Sequence, residues 1–525
     1  MFFGLYSAAG ESILIRSSIA LPSRFLMAET IGPELFFGIV GPIGTDLDTL
    51  CGLFSESLQT VGYGCEVIRL ISLLREVEQW KDLPSTPIAE YYHRAMDAGD
   101  EFRTLIEDGA ALAMLGIQYL KNELRTQHGP KDKPVERQAF VFRSLKHPDE
   151  VDALRRTYGA AFFLIGAYSP KSTRAQNLAH KIAGSEVTEP SPEDQLEAAK
   201  LIARDENESG VKYGQAVRDT FPLADVFVDT SKPRDEIRKA LDRFVELIFG
   251  HPFRTPTREE YGMFHAYASA LRSSAMGRQV GAALCDEEGD VIAVGTNEVP
   301  KAFGGQYWGD ESEDRRDFQL GIDSNDEMKR QNLAEILSRL KEKGWLSGEK
   351  TTQQIDALLL DASLLLKGAR VMSPIEYGRA VHAEMSAITD AARRGISIKN
   401  CVLFATTFPC HECARHIICA GIQRVFYIEP YPKSLALDLH KDAVTLDHEA
   451  AGKIAFLPFV GIAPRQYLAL FAMRKRKDEN GKKVPWIART SLPVRSGPFT
   501  SYFETEDWLG AELDKKMKPA QLTLI

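Results

Sequence analysis

From position 35 to about 250, short apolar runs alternate with amphipathic stretches of helical period, the pattern of a parallel sheet wrapped by helices. The runs predict strands at 35–40, 66–70, 139–142, 162–167 and 226–228, and the periodic stretches predict helices at 46–60, 90–125, 148–158 and 234–249. Pro252 and Pro256 disfavour a continuous helix and mark a boundary near 252. Beyond it the pattern predicts a helix at 257–273, then a hairpin of strands 279–285 and 291–296 around the turn Asp286-Glu287-Glu288-Gly289-Asp290. A charge-rich insertion follows at 300–375, with amphipathic stretches at 325–343 and 351–367. A tight core resumes as helix 381–394, strand 401–406, helix 410–420 and strand 424–428. The last hundred residues give mixed signals beyond a basic segment, Arg474 to Lys477, and are left unassigned. The expected fold class is α/β throughout: a peripheral extension at 1–28, a first domain at 29–252, and a second at 253–525 that contains the insertion.

Composition narrows the class. A chain of 525 residues is long enough for several domains at about 150 residues each, and 44% hydrophobic with 26% charged residues is ordinary globular usage. The net charge of −9 offers no general basic footprint, so a long nucleic acid is not the expected partner. Seven scattered cysteines do not form a disulfide framework, and a reducing, cytoplasmic location is expected. No apolar run approaches the roughly 18 to 20 residues that cross a bilayer. Glu11 and Arg16 interrupt the apolar start, and no basic segment precedes it, which argues against a secretory signal.

Two short motifs carry the chemistry. His382-Ala383-Glu384 opens one predicted helix, and Pro409-Cys410-His411-Glu412-Cys413 opens the next after one strand. Cys410 and Cys413 are three apart, so one helical turn puts both sulfurs on one face, where they can chelate one ion. Each helix start carries a partial positive charge that favours thiolates. Three protein ligands, His382, Cys410 and Cys413, leave one tetrahedral zinc position open, which separates a catalytic site from a structural one. Glu384 is then placed to act as general acid and base. H-x-E…P-C-x-x-C is the signature of zinc nucleobase deaminases. The plainer reading, a structural zinc knuckle closed by His416 or Cys419, has no use for Glu384 and places Cys419 on another helical face.

The segments Leu271-Arg272-Ser273-Ser274, Gln279-Val280-Gly281-Ala282 and Gly295-Thr296-Asn297-Glu298-Val299-Pro300 resemble the deoxycytidylate deaminase family, over roughly 255–300 and 376–445. The resemblance implies that Asn297, at a strand end, reaches the nucleotide, and Ser274 falls in the same substrate-side segments. Lys433 and Ser434, in Tyr431-Pro432-Lys433-Ser434, offer a cation and a hydroxyl to a phosphate.

The whole chain resembles the bacterial antiviral deoxycytidine nucleotide deaminases, with a nucleotide-kinase-like half before the deaminase half. This implies a P-loop-nucleotide-kinase-like parallel sheet followed by a cytidine-deaminase-like α/β/α sandwich. It also implies zinc as cofactor, conversion of dCTP, dCMP or both to the uracil nucleotide, and a homo-oligomer. Rival readings are editing of single-stranded nucleic acid, and a nucleotide-driven switch with an inert deaminase half. In the first half, Gly38-Ile39-Val40-Gly41-Pro42-Ile43-Gly44-Thr45-Asp46 follows a strand and opens a helix, so a regulatory nucleotide is expected at Gly38, Gly41, Gly44, Thr45 and Asp46. The strict pattern fails: Ile39 stands for the first glycine, Thr45 for the lysine and Asp46 for the serine or threonine, so kinase-type transfer is not expected. Arg137, Arg143, Arg204 and Asp205 resemble the phosphate-facing and lid positions of nucleotide kinases.

Overall fold

The computed structural model describes residues 32–130, 132–184, 189–208, 211–345, 366, 369, 376–447, 450–495 and 499–524. The extension and most of the stretch at 351–367 lie outside the described residues. Strand β1 (Leu35–Val40) is buried along its whole length. Its alternate residues serve two cores, Phe36 and Val40 one, Leu35, Phe37 and Ile39 the other, as expected for a strand covered on both faces. Helix α1 (Leu47–Thr60) leads to β2 (Gly64–Arg69). The span predicted as one helix at 90–125 is broken into α2 (Ile88–Ile106) and α3 (Ala111–Tyr119), because Glu107 takes a left-handed conformation, φ 55°, that ends α2. β3 (Gln138–Arg143), α4 (Pro148–Tyr158) and β4 (Phe162–Tyr168) follow as predicted to within two residues. Two helices went unassigned in the sequence, α5 (Lys171–Ala183) and α6 (Pro192–Glu206). A capping box of Ser191 and Asp194 starts the latter. β5 (Val226–Asp229) and α7 (Arg234–Ile248) complete this half. The five strands run parallel in the order β2-β3-β1-β4-β5, so the order reverses beside β1, the usual place for a ligand crevice in an open parallel sheet.

The second half contains α8 (Arg258–Ala270), the hairpin β6 (Gly281–Cys285) and β7 (Val291–Thr296), α9 (Ser324–Glu342), α10 (Ala383–Arg393), β8 (Val402–Thr407), α11 (His411–Ala420), β9 (Arg424–Glu429), β10 (Val444–Thr445) and β11 (Ile454–Pro458). These strands lie in the order β10-β11-β9-β8-β6-β7, with only β6 antiparallel to its neighbours β7 and β8. Along β6 and β8, Ala282, Leu284, Cys401 and Leu403 face α10 and α11, while Ala283, Cys285, Val402 and Phe404 face α8 and the first half. Among the described residues no helix is long and apolar enough to cross a membrane.

The unassigned end of the chain returns to the first half. β12 (Gly461–Ile462) pairs antiparallel with β5, and α12 (Phe499–Met517) lies against α3. Phe404, Met263, Phe459 and Leu513 share one continuous apolar core with Phe36 and Phe140. Arg125 is fully buried and bonds Glu34, just before β1, at 3.0 and 3.1 Å and Glu506 of α12 at 2.7 and 3.1 Å.

Candidate metal centre

Helix α10 presents Ala383, Ala387 and Ala391, all fully buried, to the sheet. It approaches so closely that a Cβ on Gly295 of β7 would stand 2.0 Å from the Ala383 carbonyl oxygen. That approach carries His382, the N-cap of α10, to the carboxyl end of β8. There Cys410, the N-cap of α11, takes the Cys413 amide on its sulfur at 3.4 Å. His382 Nδ1 lies 3.3 Å from Cys410 Sγ and 3.4 Å from Cys413 Sγ. These three form the one cluster of metal-ligating side chains found among the described residues. Ordinary Zn–N and Zn–S bond lengths in a tetrahedron put such donors about 3.5 Å apart, so the geometry fits zinc.

Among the described residues no fourth side chain closes the site. His416 Nδ1 is engaged with the Glu412 carbonyl at 2.7 Å, and Cys419 is exposed. Glu384 is only 4% exposed. Burial holds its carboxyl above the ordinary value and the neighbouring Cys410 adds to this, while the charge of His382 offsets part of that shift.

The expected substrate-side residues are placed as follows. Both amide atoms of Asn297 are spent on backbone: Oδ1 accepts from Val280 N at 2.7 Å and Nδ2 donates to Arg278 O at 2.8 Å. It therefore fixes the lead-in to β6. Ser274 donates from its amide and hydroxyl to Glu298, a carboxylate that is 1% exposed. Ser434 Oγ donates to the Pro409 carbonyl at 2.7 Å and so braces the residue before Cys410. Lys433 is exposed.

Sequence reasoning missed Arg278 and Glu429. Arg278 Nη1 lies 3.4 Å from Glu429 Oε2, Thr407 Oγ1 donates to the same oxygen at 3.4 Å, and burial raises the Glu429 carboxyl. Thr407 and Glu429 are partners in register at the carboxyl ends of β8 and β9. No local pattern signalled the pair, whose members stand 151 positions apart in the chain.

In the first half, Gly41, Gly44 and Thr45 line a cavity of about 260 Å³ together with Arg69, Arg143, Lys146 and Asp205. Two expected residues are corrected. Gly38 sits inside β1, where a Cβ would strike Leu145 and Phe162, so its bareness serves packing. Asp46 is exposed and caps α1 by accepting from Thr49 N. Of the kinase-like charges, Arg143 and Asp205 face the cavity. Arg137 lies at the opposite end of β3, donating to Val61 O, and Arg204 pairs with Asp97 and Asp100 outside the cavity lining.

Residues 256–429 match the family described as Cytidine and deoxycytidylate deaminase zinc-binding region. The matched region contains His382, Cys410 and Cys413, the cluster whose geometry fits zinc. The chain is similar to the deoxycytidylate deaminase of Enterobacteria phage T2, 43% identical over 54 residues that cover 10% of this chain and 29% of that protein. It is also similar to a probable deoxycytidylate deaminase of Drosophila melanogaster, 26% identical over 172 residues, 32% of this chain and 58% of the relative. It therefore spans less than two thirds of these curated relatives. Among solved structures, dCMP deaminase from the cyanophage S-TIM5 in complex with dCMP and dUMP aligns at 17% identity over 39% of this chain and 100% of that chain, with a TM-score of 0.22.

Proposed function

We propose that the second half hydrolytically deaminates deoxycytidine nucleotides, dCTP, dCMP or both, to the deoxyuridine nucleotides. The observation that carries this is a buried glutamate two residues past the histidine of a His-Cys-Cys cluster that has no fourth protein ligand among the described residues. When bound, zinc lowers the pKa of a coordinated water towards about 7. His382, Cys410 and Cys413 would hold the ion, and Glu384 would take one proton from the attacking water and deliver it to N3 of the cytosine ring, then take the remaining proton from the C4 hydroxyl so formed and pass it to the amino group, which leaves as ammonia as the C4 carbonyl forms. A carboxyl raised by burial suits a group that must both accept and give up a proton. On the substrate side, Asn297 and Ser274 hold the Arg278 and Glu298 segments in place. Lys433 supplies a mobile cation to the phosphate, and Ser434 keeps the Pro409–Cys410 turn in register.

The first half is, on the same reading, a P-loop-like unit that regulates rather than phosphorylates. The resemblance to antiviral deaminases supports a role in draining the deoxycytidine nucleotide pool in the cytoplasm during infection.

The test is ammonia release across cytosine mono-, di- and triphosphates, ribo and deoxy. Glu384→Gln should lower turnover by at least about a hundredfold, the ordinary share of a general acid and base, while retaining about one zinc per chain by elemental analysis. Undiminished turnover in that variant removes the mechanism.

A further inference from the structure

The cavity beside β1 carries charges arranged for an anion. Arg143 grips Asp48 with two bonds, at 2.6 and 3.0 Å, and Arg69 reaches the same carboxylate at 2.7 Å. Lys146 is engaged elsewhere, with Asp205 at 2.7 Å and the Gly41 carbonyl at 3.1 Å, while Asp205 also accepts from the Ile43 amide at 2.7 Å. Asp205 therefore tethers the loop, and Asp48 alone holds the two arginines, its carboxyl kept below the ordinary range chiefly by Arg143.

Gly44, at φ +87°, presses on the Arg174 carbonyl, where a Cβ would come within 2.4 Å, so the loop before the 14-residue helix α1 is locked in shape. Inside that locked loop the hydroxyl of Thr45, a residue 7% exposed, has no hydrogen-bond partner although it lines the cavity. A buried, unpaired hydroxyl costs about 1–3 kcal/mol unless something fills it, and at a helix start an anionic oxygen is what fits. The lining also includes Tyr91 and Tyr92, whose rings lie 5.4 Å apart, an aromatic surface for a base.

We propose that this cradle binds a nucleoside phosphate, its phosphate accepted by Thr45, Arg69 and Arg143 in place of Asp48, and releases it chemically unchanged. The proposal rests on reading the first half as a phosphate-binding unit and is independent of deamination. No lysine stands at the loop position that bridges phosphates in transferring enzymes, since Thr45 occupies it, and Lys146 is held by Asp205.

The experiment is calorimetric titration of the full-length zinc-loaded protein with deoxyguanosine mono- and triphosphate, with pyrophosphate as the arm that lacks a base. Saturable binding near one site per chain is expected, without phosphate release. Arg143→Ala, Arg69→Ala and Thr45→Val should each weaken it by about tenfold or more, the worth of one charge-assisted bond or one buried hydroxyl bond. Asp48→Asn should instead tighten binding severalfold, because it removes the carboxylate that competes for both arginines. Glu384→Gln should bind as the wild type does, so a failure here and a failure of the deamination reading are told apart. Absence of binding, indifference to Arg143→Ala and Thr45→Val together, or weaker binding by Asp48→Asn overturns the proposal. Pyrophosphate binding as tightly as the nucleotides overturns the assignment of a nucleoside.

Discussion

At the metal centre the protonation of each donor follows from its neighbours. The Cys410 thiol is pulled down to about 4, first because the Cys413 thiol donates to its sulfur and then because His382 does. His382 is pushed up to about 9 by that same contact with Cys410. Cys413, as the donor, is held well above the ordinary thiol range, and burial adds to the effect. Without metal at neutral pH the site therefore holds one thiolate, one imidazolium and one thiol. Zinc requires two thiolates and a neutral imidazole. Binding must then expel a proton from His382 and another from Cys413. Affinity should fall as pH drops below about 9, where His382 gains its proton. Titrations of the metal-free protein in buffers of different ionisation enthalpy should report about two protons released per zinc at pH 7. A value near zero would contradict this account.

At the scale of elements, the site depends on two helix starts being pushed against one sheet end. Gly295 permits the approach of α10, and Gly295→Ala would drive a methyl to 2.0 Å from the Ala383 carbonyl. The helix must shift, and it carries both His382 and Glu384. We expect this variant to fold with a lowered melting temperature and to lose most of its zinc and activity together, measured by elemental analysis and ammonia release. The same elements show what was legible beforehand. His382, Cys410 and Cys413 could be read because metal ligation fixes residue types and spacing locally, and β1, β3 and β4 because two-sided burial demands continuous apolar runs. α5 and α6 bury fewer large apolar side chains than α7 does, and their own core, around Leu178, Ala198, Leu201 and Ile202, is small. The bonding of Asn297 was not legible, since its partners Val280 and Arg278 are backbone groups brought near by the hairpin. Arg278 with Glu429, and Arg143 with Asp48, are encounters of residues about a hundred positions apart or more, which no local pattern encodes.

At the scale of the whole molecule, a division at 252 fails for both the sheets and the stability, since β12 joins the first sheet from position 461. Phe404 and Met263 of the second half lie in one core with Phe36 and Phe140 of the first, and the chain's end is locked back by Arg125 between Glu34 and Glu506, with Tyr502 donating to Glu34 at 2.7 Å. All three charges are buried, at 0%, 1% and 1% exposure. Arg125→Met would keep the volume but leave two carboxylates facing each other without a cation, a loss of about 3–5 kcal/mol for a broken buried pair. Glu506→Gln should cost less, because Arg125 and Glu34 still neutralise one another. The shared core makes a stronger demand. If both halves unfold as one unit, Arg125→Met should lower the temperature at which zinc is released to a chelating dye by the same amount as it lowers the unfolding of the first sheet, although Arg125 belongs to the sheet without the metal. Zinc release unmoved while the first half melts early would show that the halves unfold separately and that the common core does not couple them.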